Sequence, residues 1–443
     1  MSRLTGIIAG LLVAALAAPA GAGEVVVVTS FPKELFETYK RAFEAKHPDT
    51  KVVIKQQQTN AGVTYLQETK ARPDADLFWV SAPDAFATLK AAGLLDPYTL
   101  PKEIAARIPA KIGAFPIHDP EGYRKGFAAS GYGIMWNTRY LKAKNLPEPR
   151  EWDDLKKPIY HGHVGISAPS RSGTTHLTVE TLLQGEGWTK GWASLLEMGG
   201  NFATVTERSF GVPDGVNNGQ FGVGIVIDFF GLSSQASGFP VGFAYPRVTT
   251  LVPANVGIIK NAPHPKAAAA FIEFLLSPEG QEILLDKKIR RLPVLPAVYA
   301  KAPQDYPNPF KDKSIGAAVK FDADVSTARY QLVNSLFDHM ITFRLKELRA
   351  AWRAIHEAEA ALKAKPSAQA SGLLARARKL AGTVPVAEKE AADPKFTGIF
   401  KRVKKGQAPP KRQAEVEKQW DSFAKKNYAE AQELAAKAGA AAK

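Results

Sequence analysis

The stretch Gly165-Ile-Ser-Ala-Pro-Ser-Arg-Ser-Gly-Thr-Thr-His-Leu-Thr-Val-Glu180 combines the groups that anion chemistry needs. Ser170, Ser172, Thr174 and Thr175 offer hydroxyls, Gly173 lets the backbone turn sharply, and Arg171 adds a cation. The pattern predicts a short strand, a polar turn and then a helix. The first amides of that helix have no intrahelical acceptor and sit at the positive end of its dipole. A helix start of this kind can hold an oxyanion. The same residues also satisfy an ordinary Ser/Thr N-cap.

Other side chains suggest companions to this turn. Arg208 follows the strand-like run Phe202–Thr206, and a guanidinium fork matches phosphate or carboxylate bidentately; a surface arginine is the alternative. Ser30 and Ser81 each follow an apolar run and could donate hydroxyl hydrogen bonds or simply cap helices. Asp228 ends the apolar run Phe221–Ile227. It is an awkward neighbour for an anion, but it could orient Arg208, accept from a ligand hydroxyl or ammonium, or be a plain strand-end carboxylate. Phe229 and Phe230 would wall a cleft and exclude water, which strengthens polar contacts there, or belong to the core.

Catalytic patterns are missing. There is no nucleophile elbow, zinc-protease helix motif or phosphate-binding Walker loop. Ser172 and His176 lack the orienting acid of a hydrolase. His161 and His163 form a His-x-His without the third ligand a zinc site wants, and His176 reads as a packed or capping histidine. The expectation is a binding protein with no catalytic residue, metal site or cofactor.

The elements that must position these groups alternate. Val25–Val28, Lys51–Gln56 and Ala75–Val80 read as strands, with helices over Lys33–Lys46, Asn60–Ala71 and from Asp84 to Leu89. A second α/β series runs through Gly131–Asn137, the Gly165 strand, Phe202–Thr206, Val212–Asn218 and Phe221–Ile227, and Val256–Ile259 resembles a return strand. Open parallel sheets bind ligands at the carboxyl ends of their strands. The polar turns at Ser30, Ser81 and Ser170–Thr175, with Asp228, fall at such ends in both series. Two lobes facing each other across a cleft would bring them together, with chain crossings near Ala129–Gly133 and Ala254–Ile259 as the hinge.

From about Asp324 the texture changes to helices: Leu345, Leu348, Trp352 and Ile355 mark one face, and Val416, Trp420, Phe423 and Leu434 another. Segments rich in Ala, Lys and Pro, Lys363–Ser371 and Thr383–Lys411, read as mobile connectors. The expected organisation is a leader over 1–22, lobe 1 over 23–130 and 257–323, lobe 2 over 131–256, and a basic helical extension over 324–443.

The 443 residues are 45% hydrophobic, enough for more than one core. Arg3, the apolar run Leu4–Ala18 and Ala20-Gly-Ala22 fit a cleaved export signal, which predicts a periplasmic protein. The absence of cysteine rules out disulfides, thiol nucleophiles and zinc–thiolate sites. The net charge of +15 is concentrated towards the C-terminus, in stretches such as Lys401–Lys405 and Lys425-Lys426. No nucleic-acid recognition motif accompanies it, so it reads as a solvated basic surface or one that attracts an anionic ligand, acidic partner or membrane.

These residues resemble the extracellular solute-binding proteins of ABC transporters, in the branch of ferric-iron, polyamine and phosphonate binders. The likeness rests on Val25–Phe36, Ala75–Asp96, Gly131–Leu141, Gly165–Glu180, Gly219–Phe230 and Ala267–Leu284. The last contains Phe271-Ile-Glu-Phe-Leu-Leu-Ser-Pro-Glu-Gly-Gln281, a helix restarted at Ser-Pro. Ser167–His176, Arg208–Val212, Val226–Phe230 and Phe337–Arg344 are similar to the phosphoglycerate-transport binders of that family.

The resemblance implies an α/β, two-lobed periplasmic-binding-protein fold (Venus flytrap, type 2) with a C-terminal helical extension. It further implies a monomer that closes on phosphoglycerate, phosphoenolpyruvate or aminoethylphosphonate and serves an inner-membrane ABC permease or sensor kinase, with no nucleic-acid partner. The implied ligand residues are Ser30, Ser81, Ser172, Gly173, Thr174, Arg208, Asp228 and Phe229. Ferric-iron binders of the branch carry a Tyr-Tyr pair where this chain has Phe229-Phe230, which has no oxygen to offer a hard cation. A ferric-ion carrier and an exported phosphate-ester hydrolase are the alternatives.

Overall fold

Val25 to Val28 are buried in the first strand, β1 (Gly23–Thr29); branched side chains favour this extended, two-faced burial. The computed structural model describes residues 23–442 apart from 314, 317, 402 and 404–406. The expected leader and most of Lys401–Lys405 therefore lie outside the described residues. Helix α1 (Lys33–Lys46) turns Leu35, Phe36, Tyr39 and Phe43 inward at helical spacing. β2 (Thr50–Gln56), α2 (Thr59–Glu68), β3 (Leu77–Val80) and α3 (Pro83–Ala91) continue the alternation. β1 pairs in parallel with β2 and β3, as helical crossovers on one sheet require.

After β4 (Lys125–Ser130) the chain passes through Gly131 into β5 (Tyr132–Asn137), which belongs to a different sheet. That second unit contains β6 (Val164–Ser167), α4 (Gly173–Glu186), α5 (Trp188–Gly199), β7 (Phe202–Thr206), α6 (Gly211–Asn217), β8 (Val223–Ile227), α7 (Asp228–Ala236) and β9 (Val241–Ala244). The chain returns in β10 (Val252–Ile259), followed by α8 (Pro265–Leu276), α9 (Pro278–Ile283) and β11 (Leu292–Pro293). The Ser-Pro restart forms as its chemistry requires: the Gly280 amide donates to Ser277 Oγ at 3.0 Å, and Pro278 opens α9.

The first sheet has the order β11-β4-β10-β3-β1-β2, and the second β7-β6-β8-β5-β9. Both are mixed rather than purely parallel. β10 runs antiparallel to β3 and β4, and β5 antiparallel to β8 and β9. Each of these antiparallel strands is the one that arrives from the other unit. The boundary expected at 256/257, and the crossing expected at 254–259, fall inside β10. All eight of its residues are buried and pair within the first sheet, with a register shift against β4 between Ala254 and Asn255, so the return crossing lies upstream of Val252.

The C-terminal region is not an appendage on mobile connectors. After α10 (Ala323–Ala328) and α11 (Tyr330–Phe337) come α12 (Leu345–Ala364), α13 (Ala368–Ala381) and α14 (Lys411–Ala441). Leu348, Trp352 and Ile355 of α12, Trp420 and Leu434 of α14, and Trp192, Leu195 and Phe202 of the second unit belong to one continuous apolar core. Val386, Ala391 and Phe400, from the expected connector, are buried in the same core. Gly200 permits the contact: a Cβ there would lie 2.4 Å from Trp352 Cβ. Ala- and Lys-rich composition suggested a solvated linker, but the few large residues placed at intervals in it are enough to seat it.

A shared core predicts shared unfolding. Trp352→Ala should cost about 3–5 kcal/mol, and calorimetry should show the extension and the second unit melting in one transition. A separate, unshifted transition for the extension would contradict this.

Candidate functional site

The Ser172 turn is built as its sequence suggested. β6 delivers the chain to the turn, Ser172 is the N-cap of α4, and its Oγ accepts from the Thr175 amide at 3.2 Å. The capping and anion-seat readings are compatible, because one hydroxyl satisfies one amide. The amides of Gly173 and Thr174 precede any intrahelical acceptor, and both residues line a narrow cleft between the two units.

The first unit supplies the opposite wall. Ser30, Ser81, Phe31 and Thr59 line the same cleft. Thr59 donates its hydroxyl to Ser30 Oγ at 3.0 Å, so Ser30 keeps its own proton to offer inward. The two units touch at the rim: Asn60 Nδ2 donates to the Ser170 carbonyl at 3.2 Å. A Cβ on Gly173 would lie 3.1 Å from Ala82 Cβ and 3.3 Å from Thr59 Cγ2. The other unit thus approaches the first position of α4 closely enough that a side chain there would press on it, although the backbone at Gly173 is not left-handed and the turn itself does not need glycine.

Arg208 lies where β7 ends, lines the cleft, and rests its guanidinium 4.4 Å above the Phe210 ring. Burial draws its proton affinity down somewhat, but it remains a cation. Arg171 also lines the cleft, with Nη1 2.6 Å from Glu207 Oε1; Glu207 is exposed, so this pair is weak.

The sequence reading missed Arg291, which is 1% exposed. Its guanidinium lies 3.7 Å from the Phe229 ring centre and 4.6 Å from that of Phe31, so the two units sandwich it between aromatic faces. Among the described residues its side chain makes one hydrogen bond, a long one of 3.5 Å from Nη1 to Ser81 Oγ, and Nε is buried without a partner. Burial lowers its pKa to about 10, opposed by the charge of Asp228. It is thus a buried cation at neutral pH that touches no carboxylate. Lys287-Lys288-Ile289-Arg290-Arg291 looks like a solvated charge run in sequence. The left-handed backbone at Arg290, φ 47°, and the pairing of β11 with β4 turn the last arginine inward.

Asp228 does not line the cleft, which corrects its expected ligand role. The carboxylate is fully buried and accepts from the Gly131 amide at 2.7 Å, the Phe229 amide at 2.7 Å and the Tyr245 hydroxyl at 2.8 Å. Burial raises its pKa to about 6 against the pull of these donors and of Arg291. Its structural work is to tie α7 to the chain crossing at Gly131. Nor does it orient Arg208. Phe229 and Phe230 do wall the cleft. Of the histidines, His163 Nδ1 lies 2.8 Å from the Tyr140 hydroxyl, and His176 is buried against Tyr330 at a ring separation of 3.8 Å.

Arg171, Arg208 and Arg291 line the cleft, while among the described residues no carboxylate does. Hydroxyls of Ser30, Ser81 and Thr59 and the amides at the start of α4 surround the same space. The arrangement can hold a compact oxyanion with more than one negative charge, from both sides at once.

Residues 73–318 match the model of the bacterial extracellular solute-binding protein family. A phosphoglycerate transport regulatory protein, PgtC, of Salmonella typhimurium is 33% identical over 380 residues, covering 85% of this chain and 89% of that protein. The periplasmic binding protein AfuA from Actinobacillus pleuropneumoniae, solved with fructose-6-phosphate, superposes with a TM-score of 0.64 at 23% identity, covering 71% of this chain and 98% of AfuA. Iron-bound HitA from Pseudomonas aeruginosa gives a TM-score of 0.55 at 18% identity, covering 67% and 96%. The two structural likenesses establish the two-lobed binding-protein fold.

A methyl group on Gly173, where the lobes approach closely, should hinder closure. Gly173→Ala should leave the melting temperature within error of the wild type yet weaken ligand binding at least tenfold, measured by titration calorimetry. Unchanged affinity would show that Gly173 is no contact point of the binding-competent form.

Proposed function

Because this chain belongs to the bacterial extracellular solute-binding proteins, we propose that it closes in the periplasm, as a monomer, over a small phosphorylated or phosphonate organic anion. The partner that reads the closed form is an inner-membrane ABC permease or a sensor kinase. The observation that carries the ligand class is Arg291: a buried guanidinium without a carboxylate is costly unless an anion completes its hydrogen bonding. Arg208 and the Gly173 and Thr174 amides add charge and donors on the facing side. The Salmonella relative is named for phosphoglycerate transport, which makes 3-phosphoglycerate the first compound to test. Phosphoenolpyruvate and aminoethylphosphonate present the same phosphoryl oxygens.

Ferric ion fits this lining poorly. Phe229 and Phe230 have no oxygen to give, and three arginines around the cavity repel a trivalent cation. A phosphate-ester hydrolase would need a nucleophile and base beside the seat, and His176 is instead committed to Asn334 and Ser326.

Titration calorimetry with 3-phosphoglycerate, phosphoenolpyruvate, aminoethylphosphonate, inorganic phosphate and Fe³⁺ tests the proposal. Saturable heat is expected with at least one organic phosphoryl compound and none with Fe³⁺. Arg208→Ala and Arg291→Met should each weaken that binding by about 1–3 kcal/mol. Tight binding of Fe³⁺ alone, or steady release of phosphate from an ester, would replace this reading with one of the alternatives.

A further inference from the structure

The extension reaches past the second lobe to the first. Its helices α10 and α11 meet α2, α3 and α4 in a buried polar cluster beside the cleft. His176 of α4 is fully buried, with Nδ1 2.8 Å from Asn334 Oδ1 and Nε2 3.0 Å from Ser326 Oγ. Ser326 donates to Asp84 Oδ2 at 3.2 Å, and the same carboxylate oxygen lies 3.6 Å from His176 Nε2. Tyr330 stacks on the imidazole and donates its hydroxyl to Asn60 Oδ1 at 2.9 Å. Arg329 grips Glu180 through Nε at 2.9 Å and Nη2 at 2.8 Å.

These contacts divide into two sets. Arg329–Glu180, Asn334–His176 and the shared apolar core fix the extension to the second lobe. Ser326–Asp84 and Tyr330–Asn60 instead reach residues of the first lobe, and Asp84 and Asn60 lie within three residues of the cleft-lining Ser81 and Thr59. The second set can exist only while the lobes are together. Its members are buried, so each bond counts, and they add to the apolar packing of Phe321 and Ala323 beside Phe86 and Phe115 of the first lobe.

We infer that the extension is a closure latch: Ser326 and Tyr330 bind Asp84 and Asn60 across the lobe boundary and thereby set the closed fraction, and with it ligand affinity, without touching the ligand. This rests on the reading of a binding protein that works by closing. Apparent affinity scales with the fraction of molecules in the competent form. Losing one net hydrogen bond from the closed form should therefore weaken binding roughly three- to tenfold. Ser326 and Tyr330 are positioning residues, and the ligand seat itself is unchanged by their loss.

The chain has no cysteine, so Arg41→Cys and Lys190→Cys place one spin label on each lobe of the full-length protein. Interlobe distances are measured without ligand and with 3-phosphoglycerate, for the wild type, Tyr330→Phe and Ser326→Ala. Tyr330→Phe keeps the ring stack on His176 and removes only the hydroxyl. Both variants should populate longer distances without ligand and bind 3-phosphoglycerate three- to tenfold more weakly, mainly through faster dissociation; Ser326→Ala, which also removes the bond to His176, should lower the melting temperature more than Tyr330→Phe. A lower melting temperature with unaltered affinity and distances would reduce the cluster to packing and overturn the latch. Identical distances and affinities in all three proteins would do so too. If the wild type binds no phosphoryl compound, the ligand assignment fails, while the distances without ligand still decide the latch; a wild type as open as its variants refutes it.

Discussion

A guanidinium buried without a carboxylate organises the binding region. Arg291 enters from the first lobe and meets the ring of Phe229 from the second, and its counter-charge, Asp228, the residue before Phe229, is engaged by amides and a tyrosine. The cation is therefore balanced at a distance rather than neutralised in contact. Direct pairing would have satisfied the hydrogen bonding of the arginine within the protein. Distant pairing keeps it ionised and its hydrogen-bonding capacity turned towards the cleft, in surroundings where charge–dipole interactions are strong. Most of this requires the lobes to be together, so the electrostatics of the site and the closure of the lobes are one problem.

The scaffold solves the positioning with two mixed sheets. Parallel strands deliver Ser30, Ser81 and the Ser172 turn at their carboxyl ends, and the antiparallel strands β10 and β5 each arrive from the other unit. The hinge is therefore woven into both sheets rather than hung between them. Asp228 belongs to this mechanical layer: as the first residue of α7 it accepts from the Phe229 amide and holds the Gly131 amide at the crossing. A carboxylate one residue from a cleft-lining phenylalanine can thus be structural, with its neighbour facing the cleft and its own oxygens facing the backbone and a tyrosine.

The extension shows how a basic, alanine-rich region becomes part of a core. Trp352, Ile355, Trp420 and Leu434 are spaced widely, but they converge on one face of the second lobe, where Gly199 and Gly200 leave room for them. The exposed lysines and arginines account for the charge, and the sparse apolar residues account for the packing. The region's polar end, around Ser326 and Tyr330, then reaches the first lobe.

Much of this protein was legible in the chain itself. The valine run of β1, the 3.6-residue spacing of α1, the Ser277-Pro278 restart and the Ser172 turn each follow from local rules: side-chain branching, periodic burial, capping and backbone freedom. Those rules also located Arg208 and the Ser30 and Ser81 turns, because strand ends are visible in hydrophobic pattern. Local rules could not separate Arg291 from the four other residues of its charged run, or tell that Asp228 points away from the cleft. They also could not join the extension to the second lobe. Each of these depends on which distant surface a side chain meets, and burial of a charge is decided by the assembled neighbours rather than by the residues beside it in sequence. The chain determined the elements and the chemistry available at their ends; the tertiary structure decided which cation was buried without a carboxylate beside it.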